Sequence, residues 1–228
     1  MSKIHTCTLL QSELMGYDEA YLLQRRLIDI VRGNRQRSFL VLLQHRPVFT
    51  IGRRGTGNNI LVSERILAKE GIEVREIDRG GDVTYHGPGQ IVGYPIMALQ
   101  KKRRDVHRYL RSLEAMLIRT AAHFGIDAGV QDGLTGVWVG PDKLASIGVG
   151  FTSWICYHGF ALNVDPNMDH FSLINPCGFK DIRMTSVNKL CDRNVSVHEV
   201  EDKVIEEFAA EFEFDQIEPA DISRFLEE

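Results

Sequence analysis

Three features of the chain predict a mixed α/β domain in which a β-sheet is flanked by helices. Helical and strand-like periodicities alternate along its 228 residues instead of segregating into halves. Ser38 to Gln44 holds a continuous apolar run (Phe39, Leu40, Val41, Leu42, Leu43), as expected of a strand buried on both faces. Between residues 126 and 164 glycine punctuates a series of strand-like pieces. With no repeat, low-complexity linker or composition break, residues 1–228 read as one domain.

Taken in order, residues 3–10 alternate loosely and predict an opening strand. Residues 17–32 place Ala20, Leu23, Leu27 and Val31 on one helical face, and Gly33 supplies a stop. Ser63 is positioned to cap a short helix reaching Glu70, closed by Gly71, with a strand following at 72–77. Asp105 opens the clearest helix: Val106, Tyr109, Leu110, Leu113, Met116, Leu117 and Phe124 keep close to a 3.6-residue period until Gly125. Strands are expected at 136–139, 143–150 and 154–164, then a loop rich in Asn, Asp and Pro over 165–178. Ser196 and Glu199 form a capping-box pattern ahead of an amphipathic, helical C-terminal tail over 196–228.

Composition narrows the function. A formal net charge of −4 argues against non-specific nucleic-acid binding, which needs surplus Lys and Arg. No apolar run reaches the roughly 20 residues of a membrane span, and the N-terminus lacks the charged and apolar regions of a secretory signal. Cys7, Cys156, Cys177 and Cys191 contain no C-x-x-C pair, so reduced thiols in a cytoplasmic protein are expected, with neither a disulfide framework nor a structural zinc site.

The chemistry-bearing residues fall in four segments. In Arg79–Pro95 the glycines Gly80, Gly81, Gly87, Gly89 and Gly93 alternate with Asp82, Thr84, Tyr85, His86 and Gln90, a density that suits backbone passing close to a ligand. The run has neither G-x-x-x-x-G-K-[ST] nor G-x-G-x-x-G, so it does not read as a nucleotide loop. The other three are Asp142–Gly148, His158–Asn163 and Ile174–Gly178. Cys177, between Pro176 and Gly178, is either a small buried hydrophobe or a nucleophile. A nucleophilic thiol must ionise, which needs a nearby cation or base, and His86 and Lys143 are the candidates. Lys143 is otherwise a solvated charge, and His86 a structural hydrogen-bonder. Cys156 and His158, two apart on a strand, could share a metal, but no further ligands stand at a recognisable spacing. The basic cluster Lys101-Lys-Arg-Arg104 with Arg108 and Arg111 is either a solvated helix entrance or a docking patch for an acidic protein.

These four segments, in order and spacing, resemble those of the lipoyl(octanoyl) transferases. The Thr84-Tyr-His-Gly-Pro-Gly-Gln90 core, Gly136-Val-Trp138 with Lys143-Leu-Ala-Ser-Ile-Gly148, His158-Gly-Phe-Ala-Leu-Asn163 and Ile174-Asn-Pro-Cys-Gly178 carry the resemblance, which spans about residues 15–190. It implies the catalytic fold shared with biotin and lipoate protein ligases. It also implies transfer of an octanoyl group from acyl carrier protein to a specific lysine of lipoyl domains, carried by 2-oxoacid dehydrogenase subunits and the glycine-cleavage H protein. Cys177 then corresponds to the acyl-thioester nucleophile and Lys143 to its activating partner, with no cofactor, metal or ATP required. The acyl-binding walls correspond to Arg79, Gly80, Gly81, Asp82, Val83, Thr84, Tyr85 and His86, to Ser146, Ile147 and Gly148, and to Gly159, Phe160 and Ala161. An ATP-dependent lipoate or biotin ligase, needing no cysteine, and a non-catalytic acyl-binding module are the alternatives.

Overall fold

A computed structural model describes residues 4–100, 104–176 and 182–226. Ser38–His45 (β2) sits near the middle of the main sheet, and its two faces explain the layering. Phe39, Val41 and Leu43 pack against helix α1 (Tyr17–Gly33) through Leu23, Leu27, Ile28 and Val31. Leu40 and Leu42 join the opposite layer, with Leu113 and Leu117 of α3 (Val106–Ala122), Val187 of the short α4 (Val187–Leu190) and Val200, Val204 and Phe208 of α5 (Val197–Phe212). Each such side chain contributes about 1.5–3 kcal/mol on burial, so both faces of β2 hold the layers together.

The other main-sheet strands are β1 (Thr6–Met15), β6 (Gln90–Ala98), β7 (Gly129–Gln131), β8 (Leu134–Val139), β9 (Asp142–Thr152), β10 (Ile155–Asn163), β11 (Arg183–Met184) and β12 (Gln216–Pro219). Their order is β12-β1-β2-β6-β10-β9-β8-β7, with β11 pairing alongside β9. A smaller sheet, β4-β3-β5, is formed by Val48–Ile51 (β3), Glu73–Glu76 (β4) and Val83–His86 (β5). Its apolar side packs with Leu67 of the short helix α2 (Glu64–Glu70).

The expected caps form at several ends. The Asp105 carboxylate accepts from the His107 and Arg108 amides, Gly71 closes α2 at φ 66°, and the Ser196–Glu199 capping box is complete. Other expectations are corrected. Ser63 stands at the start of α2 without a side-chain capping bond, and α1 runs through Gly33 to a cap at Asn34. The opening strand is displaced to 6–15. The glycine-rich run supplies two strands, β5 and the start of β6. The C-terminal tail is not wholly helical, because Gln216–Pro219 pairs in parallel with β1. Gln216-Ile-Glu-Pro219 is too short, and ends in proline, for its alternation to announce a strand; it pairs with the open edge of β1. Among the described residues no helix is long and apolar enough to cross a membrane.

Candidate active site

A cavity of about 380 Å³ lies between the glycine-rich segment and strands β6, β10, β9 and β8. Backbone register brings its walls together: Gly159 on β10 lies opposite Gly148 on β9, and Phe160 opposite Gly93 on β6. Gly80 donates its N–H to the Val149 carbonyl at 3.0 Å, tying the glycine-rich segment over β9. Gly148 is needed for that approach, since a Cβ there would lie 2.8 Å from Cδ of Arg79.

Arg79, Gly80, Gly81, Asp82, Val83, Thr84, His86, Lys143, Ser146, Ile147, Gly148, Gly159, Phe160 and Ala161 all line this cavity. Tyr85 does not. It lies in the cluster beneath the small sheet, where its ring meets Phe171 edge-on and its hydroxyl bonds His170 at 2.9 Å. Strand alternation on β5 sends it to the face opposite Thr84 and His86. Cys177, with residues 178–181, lies outside the described residues, as do Lys101, Lys102 and Arg103 of the basic cluster. Of the remaining cluster, Arg104 lies over the Trp154 ring at 5.8 Å, and Arg111 pairs with Glu114 at 2.6 Å.

Lys143, the second residue of β9, is 3% exposed. Its ammonium stands 5.1 Å from the Trp138 ring centroid on β8, within range of a cation–π interaction. Its side chain passes over Gly136, where a Cβ would lie 2.6 Å from Lys143 Cε. Gly136 has φ +131°, a backbone state closed to most side chains. The residue is held by its N–H bond to Glu114 Oε1 at 3.0 Å, from a carboxylate on α3 that is almost fully buried. On the other side β11 pairs with β9 through Met184 and Lys143, and the Thr185 amide donates to the Lys143 carbonyl at 2.9 Å. Ile182, where the chain re-enters the described residues after Cys177, also lines the cavity.

His86 is held by a defined network. Gln90 Nε2 donates to the Tyr85 carbonyl at 3.2 Å and to Asn163 Oδ1 at 2.8 Å, so its Oε1 is left to accept from His86 Nδ1 at 2.8 Å. His86 therefore carries its proton on Nδ1, and Nε2 faces the Thr50 hydroxyl at 3.4 Å. Burial and the neighbouring His45 hold its pKa well below the usual histidine range. A neutral imidazole in this tautomer is not the cation a thiolate needs. The network continues from Asn163 Nδ2 to the Thr185 carbonyl at 2.9 Å, and so reaches the segment bonded to Lys143.

Completing the walls are Val92, Tyr94 and His158 from the glycine-bearing segments, and Tyr17, Arg54, Ile77, Gly133, Leu134, Thr135 and Ile182 from outside them. His158 has φ 52°, unusual for a side chain with a Cβ. Its N–H donates to Gln24 Oε1 at 2.8 Å, and its Nε2 to Asp78 Oδ1 at 2.8 Å. The Tyr157 hydroxyl donates to Asp78 Oδ2 at 2.7 Å. The bonds from His158 and Tyr157 pull the Asp78 carboxyl far below its ordinary range. Cys156 turns instead to the carbonyls of Pro95 and Met97, both at 3.3 Å, so it and His158 do not converge on a common ligand.

Residues 16–209 match the lipoyl protein ligase A/B catalytic domain. An octanoyltransferase of Clostridium kluyveri is 45% identical over 94% of this chain and 92% of its own length. That of Geotalea uraniireducens is 47% identical over 84% of this chain and 86% of its own. Among solved structures, a putative lipoate protein ligase from T. acidophilum with bound lipoic acid superposes with a TM-score of 0.77 at 18% identity, covering 97% of this chain and 93% of that one. A biotin protein ligase from Aquifex aeolicus in complex with biotin and ATP superposes at 0.53 and 12% identity, over 93% of this chain and 71% of that one. At those identities the likeness is one of fold, whereas the sequence relatives decide the family: the chain belongs to the lipoyl protein ligase A/B catalytic domain family and, within it, to the octanoyltransferases.

Proposed function

We propose that the chain takes an octanoyl group from octanoyl-acyl carrier protein onto Cys177 and passes it to a lysine of lipoyl domains, acting in the cytoplasm as a single catalytic unit. The observation that carries this reading is the buried Lys143 ammonium, set in the wall of the cavity. It is bonded through its own backbone to Met184 and Thr185, a few residues after Cys177 in the chain.

The Cys177 thiolate attacks the carrier thioester carbonyl, the acyl–sulfur bond to the carrier breaks, and the carrier thiolate leaves as the thiol by taking a proton from the Lys143 ammonium, which becomes the neutral amine. The acceptor lysine, entering as the neutral amine, then attacks the Cys177 thioester. Its proton passes to Lys143 and the Cys177 thiolate is released. Thioester-to-thioester exchange is near balance and thioester-to-amide runs downhill, so ATP is not consumed. With His86 held neutral, Lys143 is the cation left to favour the thiolate.

Intact-mass spectrometry after treatment with octanoyl-acyl carrier protein, in the absence of ATP, tests this. The wild-type chain is expected to gain one octanoyl group, and Cys177→Ser to gain none. A full-yield adduct in that variant would show that the wrong cysteine was chosen. Efficient modification of apo-lipoyl domain from free octanoate and ATP would overturn the carrier-dependent reading in favour of a ligase.

A further inference from the structure

Tyr17 and Ile77 line two hollows at once. One is the cavity described above, and the other is a groove of about 410 Å³ bounded also by Asp18, Tyr21, Arg53, Arg75, Glu76 and Asp78. The two residues therefore form the partition between them.

The partition stands at the far end of the cavity from the lysine. Lys143 is on β9, while Val92 and Tyr94, which close the other end with Tyr17, are on β6. In the sheet order β6-β10-β9 these strands are two spacings apart, about 10 Å at roughly 4.8 Å per spacing. The register sets Val92 level with Ser146, three residues along β9 from Lys143, a further offset of about 10 Å along the strands at roughly 3.3 Å per residue. The resulting backbone separation, about 14 Å, is enough to hold an extended eight-carbon acyl group anchored beside Lys143. Tyr17, Val92 and Tyr94 at this end are buried, and Ile77 is half-buried.

The partition is braced on both sides. The Tyr17 ring packs on His45 at 5.2 Å between centroids, and His45 is clamped between the Met15 carbonyl at 3.0 Å and the Tyr94 hydroxyl at 2.7 Å. Ile77 adjoins Asp78, which is fastened to His158 and Tyr157 of β10. The Tyr17 hydroxyl is buried and makes no hydrogen bond among the described residues. Tyr17 thus holds its place by ring packing, and its oxygen offers nothing favourable to a hydrocarbon end pressed against it.

We propose that Tyr17 and Ile77 are the end-stop that sets acyl-chain length, and that the neighbouring groove is the space a longer chain enters once the stop is cut back. The proposal rests on the acyl-transfer reading of the cavity. In that setting a steric stop acts on each added methylene, which is worth about tenfold or more in discrimination.

The test uses the full-length protein, wild type, Ile77→Ala and Tyr17→Ala, in two measurements. In the first, an equimolar mixture of octanoyl- and dodecanoyl-acyl carrier protein is offered and the adducts are counted by intact mass. The dodecanoyl-to-octanoyl ratio is expected to rise at least tenfold in both variants. In the second, octanoate and dodecanoate are titrated calorimetrically, a readout that needs no thioester chemistry. The ratio of their affinities is expected to shift the same way. Unchanged ratios in variants that melt cooperatively overturn the end-stop. Should Tyr17→Ala fail to fold, Ile77→Ala, at a half-buried position, decides alone. A shift in acid binding without any wild-type adduct would leave the end-stop standing and sink the transfer reading instead.

Discussion

At the scale of single residues, the placement of Lys143 depends on a position that carries no functional group. Gly136 combines a positive φ with the space occupied by the Lys143 stem, and Glu114 holds its amide from α3. A methyl at 136 would strain the backbone, at about 1–3 kcal/mol, and push the ammonium off its place over Trp138. We expect Gly136→Ala to slow octanoyl-adduct formation at least tenfold, read by quenched-flow intact mass, and to lower thermal stability. Wild-type rates in a folded Gly136→Ala protein would mean that Lys143 is not held by this contact. His86 and Tyr85 show what residue-level reading of the sequence can and cannot reach. Both sit in the glycine-rich segment and both suggest ligand contact. Strand alternation turns Tyr85 into the cluster with Phe171, and Gln90 locks His86 as a neutral donor–acceptor. Neither outcome is readable without knowing that residues 83–86 are a strand and that Asn163 arrives to fix Gln90.

At the scale of elements, helices announced themselves by local signals that survive in the structure. Asp105 accepts two amides at the start of α3, and the capping box opens α5. Replacing Asp105 with Ala is expected to cost about 1 kcal/mol, a fall in Tm of about 2–4 °C for a chain of this size. Since α3 also carries Glu114, adduct formation in that variant should slow measurably if fraying reaches the third turn; a full-rate enzyme with lowered Tm would confine the cap to stability. The buried strand β2 was equally legible, because its two faces serve two helical layers and leave no polar alternation. β12 was not, and nor were the cavity residues outside the four glycine-bearing segments. Tyr17 and Ile77 look in the sequence like ordinary core residues, and so do Val92 and Tyr94 within the glycine-rich segment. They reach the cavity only because α1, the stretch after β4, and β6 are brought together by pairings between residues far apart in the chain. Local pattern reports how a segment folds, whereas the back of a cavity is made by which segments meet.

At the scale of the molecule, the site's neutral imidazoles couple its architecture to pH. Burial lowers His45 to about 4, holds His86 well below its ordinary range, and lowers His158 against the opposing pull of Asp78. In the unfolded chain each titrates near 6.5. Between the two values the unfolded state binds more protons than the folded one, so stability must fall as pH drops from about 6.5 toward about 4. Above about 7 the three imidazoles are neutral in both states and contribute no slope. Asp78 acts in the same direction but lower: its folded pKa is depressed, so its contribution is intact at pH 5 and is lost only below the ordinary carboxylate range. Urea melts at pH 7.5 and pH 5.0 should therefore differ, with His45 alone accounting for about 2 kcal/mol of lost stability at the lower pH. His45→Gln is expected to be less stable at pH 7.5 yet to show a shallower pH dependence by about that amount. The same slope in the variant and the wild type would mean that His45 opens to solvent before the chain unfolds. It would then no longer serve as the fixed surface on which the Tyr17 ring is stacked.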